Sequence, residues 1–433
     1  MDPAAERLAP LLAQLVNYER TRPDRRLWDL GTMRRLLARP DAPPPPRPAI
    51  QVGGSKGKGT TSAMLEALAT AAGLTAGFYS SPHLVTLLER MRCGNEQITV
   101  GELEDRLRRL LAVPGGDRPP TFFEAMTLAA AEWFAAQRVA LAIYEVGLGG
   151  RYDATTALPV DASIVTTIEL EHTDVLGSTV AAIASEKAPV IREGGVGFTG
   201  TEGEALAVVR AHAQANGARL FVLGEHFGVR DVRWHPAGLR GQLRLPDGRE
   251  RAFFLPDARA FEVPALALAA AAFVHVLPDA GLALDPAPRP QLACRFEVRE
   301  EPDGEALVLD GAHTEQSLAA VATELRRRFA GRRARVLYGS ATGKRWREGL
   351  SALLPVADRF VVTELSGIPC EDPHAIAAFL EAAGARSEVA ADPASGLAAL
   401  RAGPGPRLVV GSFYLAGQVR QIVLAEATRR TPR

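Results

Sequence analysis

Two lysines lie in a glycine-rich segment, GGSKGKGTT, at residues 53–61. A short apolar stretch at 49–52 precedes this segment, and a helical pattern of apolar residues follows it over 61–72. Glycines let the backbone curl until several N–H groups point at one anion, and the positive end of a following helix strengthens the attraction. The order of strand, glycine-rich loop and helix therefore predicts a phosphate site.

Lys58 would place positive charge on the phosphate, while Thr60 or Thr61 would offer a hydroxyl near a metal ion. The common pattern GxxxxGK[ST] is not met, because Gly59 stands between Lys58 and Thr60. The simpler alternative is a glycine-rich turn that binds nothing. We favour binding of a nucleotide phosphate, since the lysine coincides with the strand–loop–helix order.

A carboxylate, Glu145, lies near the end of the apolar run ALAIYEV at 140–146. Ligands of open α/β sheets bind beyond the carboxyl ends of the strands. Mg²⁺ takes oxygen ligands from carboxylates, phosphates and water. Because an acid buried without a partner is costly, we interpret Glu145 as a metal ligand, with a salt-bridged core acid as the alternative.

Three further polar residues carry little weight on their own. Taken alone, Ser81 would be an ordinary turn serine, His172 a structural histidine and Lys187 a solvated helix residue. Each of them needs support from elsewhere in the sequence before it can be given a chemical role.

The elements that would hold these residues fall into two α/β parts. In the first, the apolar runs 140–146 and 162–168 predict parallel strands covered on both faces, and alternation over 227–256 predicts a small antiparallel insertion. A linker rich in proline follows near 286–290. We place the domains at 1–288 and 289–433.

The second part predicts a doubly wound parallel sheet, because strands alternate strictly with helices. The predicted strands are 305–310, 334–340, 359–365, 387–391 and 407–412. The predicted helices are 315–329, 346–354, 373–384, 394–401 and 415–427.

Composition excludes several classes of protein. Fifty Lys and Arg balance fifty Asp and Glu, which argues against binding of nucleic acid through bulk charge. Three widely spaced cysteines argue against a disulfide framework and favour a cytoplasmic location.

The N-terminus lacks the pattern of a signal peptide, and the apolar run 263–278 is shorter than the ~20 residues of a membrane span. We expect that run to form a buried helix.

Several motifs together resemble the folylpolyglutamate synthase/dihydrofolate synthase family, within the wider Mur ligases. In order, they are SKGKGTT, YSSPHL, TFFEAMT, EVGLGGRYDATT, LEHTDVLG followed by ASEKAP, DGAH and GSFYLAG. Each motif is weak alone, and the combination is specific. The resemblance covers about residues 30–416 and implies a P-loop ATPase domain followed by a Rossmann-like domain, with ATP bound between them.

The resemblance implies an ATP- and Mg²⁺-dependent amide ligase that joins L-glutamate to dihydropteroate or a tetrahydrofolate. The substrate carboxylate would form an acyl phosphate with release of ADP, and the amine of glutamate would then displace phosphate. We expect a cytoplasmic monomer without nucleic-acid or membrane partners. A requirement for K⁺ is left open.

Site residues carry over by motif as implied roles. The implied nucleotide contacts are Gly54, Gly57, Lys58, Gly59, Thr60, Thr61, Arg295, Asp310 and His313. The implied Mg²⁺ ligands are Ser81, Glu145 and His172. Lys187 matches a lysine that members carbamylate, and it completes an implied catalytic set with Lys58, Glu145 and His172. The implied substrate contacts are Phe123, Asp153 and Ser412.

Some family positions differ in this chain. Pro264 stands where the family has an Asn that contacts the adenosine, and proline offers no side-chain donor. Motifs of the C-terminal part have also changed, whereas the phosphate and metal residues are kept. Three hypotheses follow: a folate ligase, a diverged paralogue that joins a different acid and amine, or a non-catalytic nucleotide- or pterin-binding relative. Retention of the charged metal shell speaks against the last.

Overall fold

A computed structural model describes residues 2–17, 29–116, 118–235, 237–290 and 292–430. The chain forms two compact units, Met1–Gln291 and Leu292–Arg433. The boundary predicted from the sequence lies between 288 and 289. None of the described helices is both long and apolar enough to cross a membrane.

The first unit contains nine described helices and eleven described strands. The helices are α1 (Pro3–Leu12), α2 (Gly31–Leu37), α3 (Lys58–Ala71), α4 (Val100–Leu111), α5 (Phe122–Ala136), α6 (Thr173–Leu176), α7 (Val180–Lys187), α8 (Gly203–Ala215) and α9 (Glu262–Val276). The strands are β1 (Ala49–Gly53), β2 (Ala76–Tyr79), β3 (Met91–Cys93), β4 (Glu96–Gln97), β5 (Leu141–Glu145), β6 (Ala162–Val165), β7 (Val196–Thr199), β8 (Arg219–Val222), β9 (Gly228–His235), β10 (Gly238–Arg244) and β11 (Glu250–Pro256).

Eight of these strands form one sheet in the order β4-β3-β2-β5-β1-β6-β7-β8. Six neighbouring strands of this sheet are parallel, namely β2, β5, β1, β6, β7 and β8. The other two, β3 and β4, pair in antiparallel fashion at one edge. Every residue of β1 and β5 is buried, as expected for central parallel strands with helices on both faces. The phosphate loop therefore leaves the sheet from its centre.

The remaining strands of this unit, β9, β10 and β11, form a separate antiparallel sheet. This is the small insertion predicted from the alternation at 227–256. The apolar run that follows it forms α9, whose central residues from Ala265 to Phe273 are buried. A buried helix, as predicted, explains the run.

The second unit is also α/β. Its strands are β12 (Glu297–Glu300), β13 (Ala306–Leu309), β14 (Ala334–Tyr338), β15 (Ala357–Thr363), β16 (Ser387–Ala390) and β17 (Arg407–Val410). Its helices are α10 (Glu315–Arg328), α11 (Trp346–Leu353), α12 (Pro373–Ala382), α13 (Pro393–Arg401) and α14 (Phe413–Arg430). The sheet order is β12-β13-β17-β14-β15-β16.

Five strands of this second sheet are parallel, which confirms the predicted α/β class with alternating strands and helices. The edge strand β12 is antiparallel to β13 and was not predicted. Three of its four residues are charged, so the sequence carries no apolar alternation there to mark a strand.

Candidate active site

The phosphate loop takes a backbone form that requires glycine. Gly54 has a φ of 130°, and a Cβ added to it would lie 2.0 Å from Oγ1 of Thr166. Gly57, with a φ of 85°, immediately precedes α3, and no side chain caps the first turn of that helix. The first N–H groups of α3 are therefore open to an anion at the positive end of the helix.

The end of β6 holds the loop in place. Oγ1 of Thr166 donates to the carbonyl oxygen of Lys56 at 2.7 Å, and Oγ1 of Thr167 accepts from the N–H of Lys56 at 3.2 Å. The N–H of Ser55 donates to the carbonyl oxygen of Thr167 at 2.6 Å. The sequence analysis missed this support, whose only signal is a Thr-Thr pair after an apolar strand.

Two lysines converge on one carbonyl oxygen of the loop. Nζ of Lys58 and Nζ of Lys187 each donate to the carbonyl oxygen of Gly54 at 2.9 Å. Lys187 also forms an ion pair with Glu171, with Nζ 2.9 Å from Oε1, and its side chain is 2% exposed. The structure therefore brings Lys187 from the end of α7 to the phosphate loop, although its sequence context suggested a solvated residue.

This cluster has unusual electrostatics. Burial, followed by the nearby charge of Lys58, lowers the pKa of Lys187 from 10.5 to about 8, although Glu171 acts in the opposite direction. Burial alone would raise the pKa of Glu171, but Lys58 and Lys187 outweigh it and bring that pKa to about 2. Lys187 is therefore partly neutral just above neutral pH, and Glu171 stays ionised.

Glu145 lies beside the start of α3. It is 5% exposed, and a Cβ placed on Gly59 would be 3.6 Å from its Oε1. In the same helical turn Thr60 and Thr61 are buried, and Oγ1 of Thr61 has no hydrogen-bond partner in the described part of the chain. A carboxylate thus lies beside the end of the helix that would receive a phosphate, and one hydroxyl of that turn has no partner among the described residues.

The other two predicted metal ligands lie at the same edge of the sheet. Ser81 follows β2 by two residues, and His172 lies between β6 and α6 with a φ of 47° and an exposed side chain. Since β2, β5, β1 and β6 are adjacent and parallel, their carboxyl ends share this edge. Over the described residues, no three His, Cys, Asp or Glu side chains come together as a metal site.

The predicted residues of the second unit gather at the ends of two neighbouring strands, β13 and β17. Asp310 follows β13 and accepts from the N–H groups of Phe296 and Ala312 at 2.6 and 2.7 Å. Nδ1 of His313 lies 3.0 Å from the carbonyl oxygen of Gly311. These contacts shape the turn that leads into α10.

Two more predicted residues of this unit lie at the start of α14. The guanidinium of Arg295 stacks over the ring of Phe413, 4.0 Å from its centroid. Ser412 is 4% exposed, and its hydroxyl accepts from the N–H of Tyr414 at 3.1 Å. Stacking on an aromatic face fixes the plane of a guanidinium without using its N–H donors.

Comparisons with known proteins agree with this arrangement. Residues 294–412 match the family model of the Mur ligase glutamate ligase domain. Over 421 residues the chain is 34% identical to a probable bifunctional folylpolyglutamate synthase/dihydropteroate synthase of Haloferax volcanii, covering 90% of this chain and 48% of that protein. Over 427 residues it is 28% identical to the dihydrofolate synthase/folylpolyglutamate synthase of Bacillus subtilis, covering 90% of this chain and 94% of that protein.

A solved structure gives the same answer for the fold. The bifunctional folylpolyglutamate synthase/dihydrofolate synthase of Yersinia pestis, complexed with AMPPNP and Mn ion, superposes with a TM-score of 0.80 at 27% identity, over 98% of each chain. The chain is thus similar, over nearly its whole length, to folylpolyglutamate synthases/dihydrofolate synthases. The resemblance noted from the motifs is thereby confirmed. The chain spans about half the length of the Haloferax relative and nearly all of the Bacillus one.

Two residues for which the resemblance implies contact with substrate also shape the GLGG loop. The carboxylate of Asp153 accepts from the N–H groups of Gly147, Leu148 and Thr155 at 3.0, 3.2 and 3.0 Å. Burial raises the pKa of Asp153 in spite of these bonds. The ring of Phe123 covers Gly147, where an added Cβ would lie 2.6 Å from it. Their contact with substrate stays a prediction.

Pro264, which replaces an adenosine contact of the folylpolyglutamate synthase family, lies in the first turn of α9 and is exposed. Proline is tolerated there because the first N–H groups of a helix have no acceptor within it. The helix therefore forms normally around the substitution, and the effect on adenosine binding stays a prediction.

Proposed function

We propose that this protein is an ATP- and Mg²⁺-dependent ligase that joins L-glutamate to the carboxylate of a folate-type acid, dihydropteroate or a tetrahydrofolate. The observation that carries the proposal is the convergence of Lys58 and Lys187 on the Gly54 carbonyl, in a loop whose Gly59 lies beside the Glu145 carboxylate. The Yersinia relative, complexed with AMPPNP and Mn ion, supports a nucleotide and a divalent cation.

The residues present fit a nucleotide phosphate. The start of α3 has no side-chain cap, the Thr61 hydroxyl lacks a partner in the described chain, and Lys58 lies one residue after Gly57. An anion at this position would receive backbone N–H groups, a hydroxyl and a lysine charge together.

The residues also fit a divalent cation that takes most of its ligands from outside the protein. Mg²⁺ commonly binds one or two carboxylates and completes its octahedron with phosphate oxygens and water. Glu145 provides a carboxylate within reach of the phosphate end of α3, and we propose Ser81 and His172 as the other protein ligands. When bound, the cation neutralises charge on the transferring phosphoryl group.

In the first step, a carboxylate oxygen of the folate-type acid attacks the γ-phosphorus of ATP. The bond between that phosphorus and the bridging oxygen breaks, so that ADP leaves with the electron pair and an acyl phosphate remains. Lys58 and the N–H groups of α3 stabilise the charge that develops on the phosphoryl oxygens.

In the second step, the neutral amine of glutamate attacks the acyl carbon. The C–O bond to phosphate breaks, inorganic phosphate departs, and the amine loses a proton as the amide forms. Arg295, Asp310 and His313 are proposed nucleotide contacts, and Ser412 a proposed contact near the glutamate site. Exclusion of water is needed in this step because an acyl phosphate hydrolyses readily.

We propose further that Lys187 reacts with CO₂ to form a carbamate. The reaction needs a neutral amine, which attacks the carbon of CO₂ and releases one proton. The lowered pKa of about 8 makes that amine available near neutral pH. The product would carry a negative charge close to Lys58, which would offset the loss of the Glu171 ion pair.

The experiment that tests the function is a substrate panel. Purified protein with ATP, Mg²⁺ and L-glutamate is given dihydropteroate, a tetrahydrofolate or an unrelated carboxylic acid, and ADP release is followed. Glutamate-dependent release with either folate-type acid supports the proposal. Turnover only with the unrelated acid, or no ATP binding at millimolar concentration, would point to a paralogue or to a non-catalytic relative.

A further inference from the structure

A charged cavity lies away from the phosphate loop, at the amino ends of the central strands of the first unit's large sheet. It has a volume of about 690 Å³, and one wall is the run of four prolines at 43–46. Arg47, Arg106, Arg109 and Arg138 line it, together with the carboxylates of Asp41 and Glu132. We call this cavity the arginine groove.

Its position follows from the direction of the central strands. Arg47 lies two residues before β1, and Arg138 lies three residues before β5, so the groove adjoins the amino ends of both strands. The phosphate loop and Glu145 lie at the carboxyl ends of the same parallel pair. A strand of five residues spans about 17 Å, which separates the groove from the proposed active site.

The two acids of the groove are already engaged by another arginine. Nε of Arg39 lies 3.3 Å from Oδ1 of Asp41, and its Nη2 pairs with Glu132. Arg109 reaches Glu132 only at 3.7 Å. Arg106 and Arg138 have no ion pair with any described residue, so the groove carries an excess of positive charge.

The excess of positive charge is energetically costly at Arg106, because this residue is only 9% exposed. One of its N–H groups donates to the carbonyl oxygen of Glu102 at 2.9 Å, but its Nε has no hydrogen-bond partner among the residues that the structure describes. Burial, and after it the charge of Arg109, lower the pKa of Arg106, and the nearby charges of Glu102, Glu132 and Asp105 offset this only in part. A buried cation without an ion pair is unfavourable, and a bound anion would offset that cost.

We propose that the arginine groove binds a small polyanion, whose phosphate or carboxylate oxygens are held by Arg106, Arg109 and Arg138. Guanidinium groups bind such oxygens in a bidentate manner. The proline wall offers flat apolar surface to the uncharged part of the ligand, and the groove is larger than one phosphate requires. This site is separate from the proposed function and does not rest on it.

The test is calorimetric titration at low ionic strength in a buffer free of phosphate. Lys58→Ala protein is used, so that the phosphate loop contributes little to binding. Inorganic pyrophosphate and succinate are titrated separately, which distinguishes a phosphate-bearing ligand from a dicarboxylate.

The test variant is the double substitution Arg109→Gln and Arg138→Gln, at two exposed positions whose change should leave the fold intact. The control is Arg108→Gln, an exposed residue of the same helix that pairs with Glu104 outside the groove.

We expect at least one of the two anions to bind, with affinity weakened about 100-fold or more by the double substitution, since the ligand loses charge-assisted hydrogen bonds from two guanidinium groups. The control should bind as Lys58→Ala does. If neither anion binds, or if the double variant binds as tightly as the control, the proposal is overturned. Thermal melts of all variants confirm that each is folded.

Discussion

Nζ of Lys187 lies 2.9 Å from Oε1 of Glu171 and also donates to the carbonyl oxygen of Gly54 at 2.9 Å. One buried ammonium group therefore joins the end of α7, the segment before α6 and the phosphate loop. Lys58 donates to the same carbonyl oxygen, so the charge of one lysine affects the protonation of the other.

The first prediction concerns Glu171→Gln. The pKa of Glu171 is about 2 in the folded chain against 4.5 ordinarily. Between these two pH values, the carboxylate binds a proton more readily in the unfolded chain than in the folded one. The stabilisation from Glu171 is therefore complete above about pH 4.5 and is lost as the pH falls toward 2. In protein whose Lys187 is not carbamylated, we expect the variant to lose about 3 kcal/mol at neutral pH, because the buried ammonium of Lys187 loses its counter-ion, and to show a flatter acid limb. Urea denaturation at several pH values measures both effects.

The matched control for this change is Glu202→Gln, an exposed acid before α8 whose side chain does not cap the helix. Its unfolding free energy and its acid limb should match those of the unsubstituted protein. If Glu171→Gln behaves like this control, the ion pair with Lys187 does not support the loop.

The second prediction concerns Lys58→Ala. Among the described residues, Lys58 donates hydrogen bonds to two carbonyl oxygens of its own loop and to no others. Its removal should therefore leave the fold intact and reduce kcat by about 100-fold or more. Lys56→Ala, in the same loop, should have a much smaller effect. Steady-state kinetics and thermal melts of both variants check this, and full activity of Lys58→Ala would refute its role.

The third prediction compares two glycines with left-handed backbone. Gly54→Ala would place a Cβ 2.0 Å from Oγ1 of Thr166, whereas Gly73→Ala, at a φ of 76°, would meet nothing within 4 Å. Gly73→Ala should cost about 1 kcal/mol from backbone strain alone. Gly54→Ala should cost considerably more and abolish nucleotide binding. Equal stabilities would show that the loop can move away from β6.

The fourth prediction concerns the second unit, where Arg407 is 1% exposed and pairs with Glu301 and Asp303. Arg407→Gln leaves Glu301 buried with one fewer cation and should cost about 3 kcal/mol. Arg386→Gln removes an ion pair with Asp358 at the surface and should cost less than about 1 kcal/mol. Hydrogen exchange of the β14 and β17 amides measures both values within this unit.

The phosphate loop could be predicted because its signal is local. An apolar strand, four glycines in nine residues and the start of a helix are contiguous in the sequence. The parallel strands of the second unit could be predicted for a similar reason, since each precedes a helix and all but β16 are largely apolar runs. The edge strands β4 and β12 are short and largely polar, and polar edge strands give no hydrophobic period.

The support of the loop could not be predicted, because it depends on contacts between distant parts of the chain. Lys187 and Gly54 are separated by 133 residues, and no spacing in the sequence encodes their meeting. Glu171 was seen only as part of a motif, because nothing in the sequence indicates its ion pair with Lys187. Asp153 was expected at the substrate, and its three backbone donors follow from the folded shape of the GLGG loop alone.

The central claim is that ATP activates the carboxylate of a folate-type acid at the Lys58 loop. The carboxylate oxygens of dihydropteroate do not exchange with water on the timescale of a turnover. Dihydropteroate can therefore be labelled with ¹⁸O in its carboxyl group, and the phosphate that is released can be examined by mass spectrometry. The account predicts that one ¹⁸O atom appears in phosphate for each amide formed, and that Lys58→Ala loses this transfer. Amide formation with unlabelled phosphate would contradict it.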